Sequence, residues 1–373
     1  MNEVGQFGWG GRAILCAMSS QTEHEFLSRL GDARPAPGRT CTAFANLREA
    51  RPGRTRDGKP YVDIVVSDQS ASLSGKIWGS DHPRIVSQAT EIEPGTAVKV
   101  LFEVRSYRGS VQLTVLGIRP VETNEDGYDA TAVYGKGASL VADLGFRTLV
   151  FDIETVPAVE MRSLPPTVGK ALATAVERGD NDEGKIMSLS PMFGKIVSLA
   201  VGEGEIDDVG DQEVTVLAVA PEGRERDSFP SFMRVMSEAE LLACFWELAS
   251  GAKVVVTYNG RGFDVPFLIM RSLIHGVPAT VDLVSSPFSL RPHLDLYNVL
   301  VPRRGLGPSS LDVMCWALGM PSPKDVMDGS MVAPTYARGD IEAIATYNIG
   351  DIQATTRLYQ HVRDKLLPFR NDW

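Results

Sequence analysis

The sequence predicts a multi-domain protein, an all-β barrel followed by a mixed α/β sheet. Three observations predict it. The chain is 373 residues long, and a single hydrophobic core stops growing well before that length. From Thr40 to Glu122 short strand-like runs follow one another with turn residues between them, whereas beyond residue 146 strands alternate with amphipathic helical stretches. Charge changes sign between the same two regions. Residues 33–121 hold 13 Lys and Arg against 8 Asp and Glu, a net of +5, and residues 146–373 hold 21 against 30, a net of −9. The overall charge of −10 therefore hides a basic front and an acidic back.

Composition narrows the class. With 43% hydrophobic and 23% charged residues the chain reads as a soluble protein, and no apolar run is long enough to span a bilayer. The residues up to Met18 are Gly-rich, and "GRAILCAM" is too short an apolar stretch for a secretory signal. Residues 1–32 read as a leader, loose or with a short helix. Cys16, Cys41, Cys244 and Cys315 lie far apart with no CxxC pair, and the five histidines form no HxxxH pair. These thiols fit a reducing cytoplasm and exclude a disulfide framework or a zinc site.

In the front domain, expected over residues 33–122, "CTAFANLREA" reads as a strand and "RPGRTRDGKP" as a basic loop rich in Gly and Pro. Strands "YVDIVVSD" and "ASLSGKIWG" follow, then a short helix in "DHPRIVSQATEI". Two more strands flank the hairpin "SYRGS". Five strands with a helix between the third and fourth are the order of an OB-fold barrel. Over about 85 residues, notably in "DGKPYVDIVVSD" and "YRGSVQLTVLGIRPV", the region resembles OB modules of aminoacyl-tRNA ligases and of some 3′–5′ exoribonucleases. The first connecting loop holds Arg48, Arg51, Arg54, Arg56 and Lys59, and in OB-folds this loop flanks the binding face. Tyr61, Trp78 and Tyr107, with Arg108 beside the last, are candidates to stack bases of a single strand. A charged loop alone is more often just solvated, and Trp78 alone could be core. The clustering of charge is what favours a nucleic-acid face.

A linker over residues 123–146 leads to the back domain, residues 147–373. "TLVFDIE" reads as a strand, with "GKIVSLAVGEG" and "EVTVLAVA" as its two antiparallel neighbours. "SEAELLACFWELAS" reads as a helix with a capping box, Ser237 at the N-cap and Glu240 three residues on. "AKVVVTYNG" is a buried strand, and "FDVPFLIMRSLIHG" a helix ended by Gly276. In "GDIEAIATYNIGDIQATTRLYQHV", Ile341, Ile344, Ile352, Leu358 and Val362 keep one side apolar, and Tyr347 and Asp351, four apart, share a face.

The carboxylates carry the chemistry. Strand side chains alternate, so Asp152 and Glu154 in "VFDIETVP" point the same way. Two ionised carboxylates side by side repel unless a cation lies between them. Taken alone, "DIE" at a strand end is more often two solvated acids. Two further motifs change the balance: "YNGRGFD" carries Asn259, Phe263 and Asp264 across a strand-to-helix turn, and "YNIGD" carries Tyr347 and Asp351 on the last helix.

With these three motifs in this order, the sequence resembles the DEDD-type 3′–5′ exonucleases of the RNase H-like fold. Tyr347 stands four residues before Asp351, and Thr346 occupies the place of the histidine subclass, so the resemblance is to the tyrosine subclass, DEDDy. "SLSPMFGKIVSLAVGEG", "VVVTYNGRGFDVPFLIMRSLIHG" and "IATYNIGDIQATTRLY" resemble stand-alone relatives of the proofreading domain of B-family DNA polymerases. The resemblance implies two divalent ions, Mg²⁺ or Mn²⁺, held by Asp152, Glu154, Asp264 and Asp351, with Tyr347 orienting water. It further implies that Asn259, Phe263 and Thr155 lie near the substrate strand. The expected partner is single-stranded nucleic acid, DNA ahead of RNA. No polymerase region follows, so any proofreading, repair or defence partner is expected to be a separate chain. The alternatives are an exoribonuclease and, from another class, a non-catalytic single-strand-binding adaptor. Asp295 in "RPHLDLYNVL" reads as structural or solvated.

Overall fold

The structure, a computed structural model, describes residues 24–371 and 373 except 123, 180–181, 222–228, 286–288, 302–306 and 322–326. Most of the expected leader, including Cys16, lies outside the described residues.

The front domain is a closed barrel. Its strands are β1 (Glu25–Phe26), β2 (Thr40–Arg54), β3 (Pro60–Ser67), β4 (Ser72–Trp78), β5 (Ala97–Tyr107) and β6 (Ser110–Pro120). Helix α1 (Pro83–Glu91) joins β4 to β5. The order β1-β2-β3-β4-β6-β5 closes because β5 also pairs with β2, and the β4–β6 pair is parallel. This is the OB-fold arrangement. Alternation builds the core: Val62, Ile64 and Val66 of β3 and Ala43, Ala45 and Leu47 of β2 point inward with Val98, Val100 and Phe102 of β5. Closure requires bent strands, and two carry an extra residue, Arg48 in β2 and Leu116 in β6, the latter opposite Leu101/Phe102 of β5.

Three expectations need adjustment. The basic loop is shorter than read, because β2 runs on through Arg51, Pro52 and Gly53 in register with Asp63, Val62 and Tyr61. Gly53 is there as a floor for an aromatic ring, since a Cβ at that position would sit 2.5 Å from Tyr61. The packed unit also starts before residue 33: β1 pairs with β2, and Leu30 is buried in the barrel core. The third concerns the linker. It contains α2 (Ala130–Tyr134) and packs on both domains: the Tyr134 hydroxyl donates to the carbonyl of Gly95 at 2.8 Å. Gly137 lies so close to the backbone of Ala243 that a Cβ would approach within 2.4 Å.

The back domain is a six-stranded mixed sheet. Its strands are β7 (Thr148–Pro157), β8 (Gly194–Glu203), β9 (Val214–Ala218), β10 (Met233–Val235), β11 (Val254–Thr257) and β12 (His293–Asp295), in the order β10-β9-β8-β7-β11-β12. The β7–β8 and β8–β9 pairs are antiparallel and the others parallel. The segment "EVTVLAVA" therefore pairs with β8 and not with β7, whose second edge is taken by β11. Helices α3 (Pro166–Gly179) and α4 (Glu183–Ser188) lie between β7 and β8. Later come α5 (Glu238–Gly251), α6 (Asp264–His275), α7 (Leu296–Leu300), α8 (Leu311–Ala317), α9 (Val332–Ala337) and α10 (Ile341–Lys365).

Each helix boundary has a local cause. Ser237 and Glu240 form the capping box of α5, and Gly276 ends α6 in the left-handed conformation at φ 66°. Two cores result. Leu149, Phe151 and Ile153 of β7 face α5 and α6 with Leu241, Phe245 and Leu268. Val150 and Val156 face the other way, toward Ile344, Ile352 and Leu358 of α10. By that alternation Asp152 and Glu154 project from the central strand toward α10.

Candidate active site

The sheet and α10 bring the acids together. Asp152, Glu154 and Asp351 each offer a carboxylate oxygen within 4.8 Å of the others. Asp264 opens α6 and is buried, and its Oδ1 accepts the backbone N–H of Ile153 at 3.3 Å. It therefore stands beside Asp152 rather than inside the group of three. Burial pushes Asp152 well above the usual carboxylate range, and the neighbouring Asp264, Asp351 and Glu154 push it further. Burial also raises Asp264, to about 7, against the opposing effect of the backbone N–H groups of Asp264 and Ile153. Clustered carboxylates that resist ionising together suit a hard, oxygen-seeking divalent cation, and the donor set fits Mg²⁺ or Mn²⁺. Tyr347 is bonded to the Asp351 side chain. Burial, then the charges of Asp351, Glu154 and Asp152, drive its hydroxyl far above the normal phenol value, so it stays protonated at neutral pH.

The loop of the second motif is held from below by Asp295, at the end of β12. Its Oδ1 accepts the Asn259 N–H at 2.9 Å and its Oδ2 the Arg261 N–H at 3.0 Å. Asn259 adopts φ 64°, and a Cβ at Gly262 would lie 2.5 Å from the Asn259 side-chain oxygen and displace that side chain. Arg261 is turned inward, donating to the carbonyl of His293 at 2.7 Å. Phe263 packs on Phe267, with ring centroids 5.6 Å apart. An open cavity of about 530 Å³ lies against Asn259, lined also by Tyr258, Gly262, Tyr297, Ser309 and Ser310. Thr155 is placed differently from the others. Its buried hydroxyl donates to the Ser188 carbonyl at 2.8 Å and so anchors α4 to β7.

Asn348 was missed by the motif reading. It is fully buried, and its amide donates to Ser198 Oγ at 3.0 Å and to the Asp152 carbonyl at 3.4 Å. A signal existed: Asn348 lies four residues from both Ile344 and Ile352, a polar residue on the apolar stripe of α10.

On the barrel, Tyr61 and Trp78 face each other across β3 and β4 on the outer side, ring centroids 6.0 Å apart. Lys76 Nζ lies 3.7 Å from the Tyr61 ring centre and 5.2 Å from that of Trp78, and pairs with Asp63 at 2.6 Å. Arg54, Arg56 and Lys59 are exposed at the β2–β3 turn, and Arg51 beside them pairs with Glu49 at 2.8 Å. The β5–β6 hairpin presents Tyr107, 55% exposed, with the Arg108 guanidinium 5.4 Å from its ring. Arg108 at φ 51° and Gly109 at φ 83° make a two-residue turn with both residues left-handed. Arg48 does not join this face. It is half-buried where β2 meets the back domain, and burial lowers its pKa against the pull of Glu247 and Glu49. The bulge after Leu47 directs it away from the other arginines.

Comparison with known proteins adds a likeness over the back domain. Residues 192–367 match the model of a family described as "Predicted 3'-5' exonuclease related to the exonuclease domain of PolB". That span contains Asn259, Asp264, Tyr347 and Asp351 and begins after the strand of Asp152 and Glu154. The 3'-5' exoribonuclease YhaM of Bacillus subtilis (strain 168) is 32% identical over 89 residues, 24% of this chain and 27% of the relative. YhaM of Listeria welshimeri is 29% identical over 96 residues, 25% and 28% of the two chains. The chain thus covers little more than a quarter of the length of these relatives. Among solved structures, the family B DNA polymerase of Pyrobaculum calidifontis aligns at a TM-score of 0.39 and 16% identity, covering 86% of this chain and 46% of the polymerase. The second OB-fold domain of replication protein A from Methanococcus maripaludis aligns at 0.21 and 16%, covering 26% and 97%. Over residues 192–367 the chain is therefore similar to the predicted 3′–5′ exonucleases related to the exonuclease domain of PolB.

Proposed function

We propose that the protein is a metal-dependent 3′–5′ exonuclease acting on single-stranded nucleic acid, which the barrel holds while the back domain hydrolyses the 3′ end. The observation that carries this reading is the meeting of Asp152, Glu154 and Asp351 within 4.8 Å, with Tyr347 bonded to Asp351. Asp152, Glu154 and Asp351, with Asp264 beside them, would hold two divalent ions, Mg²⁺ or Mn²⁺. Such ions, when bound, lower the pKa of water and stabilise the leaving oxygen. The protein's own groups do the rest. Tyr347 keeps its proton and orients the attacking water by hydrogen bonding rather than abstracting a proton. Asn259, fixed by Asp295, and the cavity beside it receive the terminal nucleotide, with Phe263 bracing the turn. Thr155 supports the site from behind through α4.

DNA comes first because the family is described by its relation to a polymerase exonuclease. The name of the YhaM relatives favours RNA as the second reading. No helix among the described residues is long and apolar enough to cross a membrane. The buried free thiols Cys41, Cys244 and Cys315 suit a reducing cytoplasm.

The test is a digestion time course on 5′-labelled single strands, DNA and RNA of one sequence, with Mg²⁺, with Mn²⁺ and with EDTA. A metal-dependent ladder shortening from the 3′ end is expected. Strand binding with no ladder on either substrate would leave the protein a non-catalytic adaptor. The barrel face has its own test. Tyr61→Ala and Trp78→Ala are each expected to weaken strand binding by about 1–3 kcal/mol, read by fluorescence anisotropy. Rising salt should weaken binding further through Arg54, Arg56 and Lys59. Unchanged affinity in both aromatic variants would move the binding face elsewhere.

A further inference from the structure

We propose that Asn348 is a positioning residue that sets the spacing of the metal-binding carboxylates, an inference that rests on the metal-dependent reading above. Helix α10 spans Ile341–Lys365. Asp351 lies on this helix, Asp152 and Glu154 on β7, and nothing covalent fixes the helix at one height along the sheet. Carboxylates that repel one another would, without a tie, push helix and strand apart. The hydrophobic contacts of Ile344 and Ile352 hold α10 down but are non-directional and tolerate sliding.

Asn348 supplies a directional tie at the right place. It lies three residues before Asp351, one helical turn along the same side. Its amide reaches two strands at once, the Asp152 carbonyl on β7 and Ser198 Oγ on β8. Ser198 is the residue in register with Glu154. The one side chain therefore connects the helix of Asp351 to the backbone of Asp152 and to the strand position opposite Glu154. Its position is costly, which argues for a role. The amide is fully buried, and among the described residues its Oδ1 has no hydrogen-bond partner, whereas an apolar residue would need none.

The experiment separates positioning from packing. Asn348→Leu, Ser198→Ala and the double variant are compared in the full chain for thermal unfolding and for Mn²⁺ binding, followed by electron paramagnetic resonance without nucleic acid. Removing both polar partners together should leave stability nearly unchanged. Mn²⁺ half-saturation should nevertheless rise about 10-fold or more in Asn348→Leu and in the double variant, the scale seen when groups that orient metal ligands are lost. Ser198→Ala alone should give a smaller rise, and its effect should not add to that of Asn348→Leu. If Mn²⁺ affinity in the double variant equals that of the unaltered chain, Asn348 is a packing residue and the proposal falls. An unaltered chain that binds no Mn²⁺, or binds it equally after Asp152→Ala, overturns the metal reading itself.

Discussion

Asp152→Asn is expected to abolish nucleotide release while making the metal-free protein more stable. The two effects share a cause. Asp152 is held among Asp264, Asp351 and Glu154 in a buried place, so its charge is opposed by every neighbour. An amide of the same shape removes that repulsion. The loss of activity should be about 10³-fold or more, because several kcal/mol of charge stabilisation depend on ions that the altered site holds poorly. The gain in stability should appear as a higher Tm in the absence of metal.

The gain should depend on pH in a stated direction. Burial raises Asp264 to about 7 from an ordinary value of 3.8, and raises Asp152 as well, so between these limits the folded chain holds protons that the unfolded chain releases. The stability from these groups is complete below the ordinary value and is lost as pH rises through their raised values, about 7 for Asp264. The Tm difference between Asp152→Asn and the unaltered chain should therefore widen as pH rises above about 4 without metal. Added Mn²⁺ should reverse the order by stabilising only the chain that binds it. Calorimetry in EDTA and in Mn²⁺ reads both effects. An Asp152→Asn protein less stable than its parent in EDTA would show that the carboxylate is satisfied without a cation.

Glu238→Ala should be the most damaging change away from the site. Glu238 begins α5, and its two oxygens accept Arg271 Nε at 2.8 Å and Nη2 at 2.6 Å, the Ile196 N–H at 2.9 Å and His275 Nε2 at 2.9 Å. Burial alone would raise its pKa, but the bonds from Arg271 and Ile196 outweigh it and hold the carboxyl below its ordinary value. Truncation strands the Arg271 guanidinium, only 9% exposed, without its counter-charge. Breaking one side of such a pair costs about 3–5 kcal/mol, which in a domain of this size lowers Tm by about 10 °C. The chain that remains folded at low temperature should still bind Mn²⁺, since Glu238 is outside the acidic cluster. A Tm change below about 2 °C would mean that water replaces Glu238 at Arg271.

Much of the site was legible because its chemistry is written in local spacing. Asp152 and Glu154 two apart on a strand, and Tyr347 and Asp351 four apart on a helix, each fix a shared face without tertiary information. The capping box at Ser237 and the terminus at Gly276 were legible for the same reason. Contacts between distant segments were not. Asp295 gives no sign in sequence that it grips the Asn259 loop from 36 residues away. Arg48 reads as one more arginine of a basic run until the bulge in β2 turns it toward α5. Pro52 and Gly53 read as a turn, though Gly53 serves the packing of Tyr61, and Pro is tolerated where its missing N–H is not required by the ladder.

β7 is paired with β8 through Asp152 and Glu154 and with β11 over residues 148–150, and it is covered on both faces, so the clustered acids Asp152 and Glu154 are attached to its backbone at the meeting point of two cores. Strands buried in the core open at the high end of a domain's local stabilities. Fraying of the outer strands β10 or β12, local opening of α8 and breathing of the barrel can all occur without disturbing this anchor. Half of the cluster is thereby mounted on the last part of the domain to come apart, whereas Asp351, on α10, can shift against it while the fold persists.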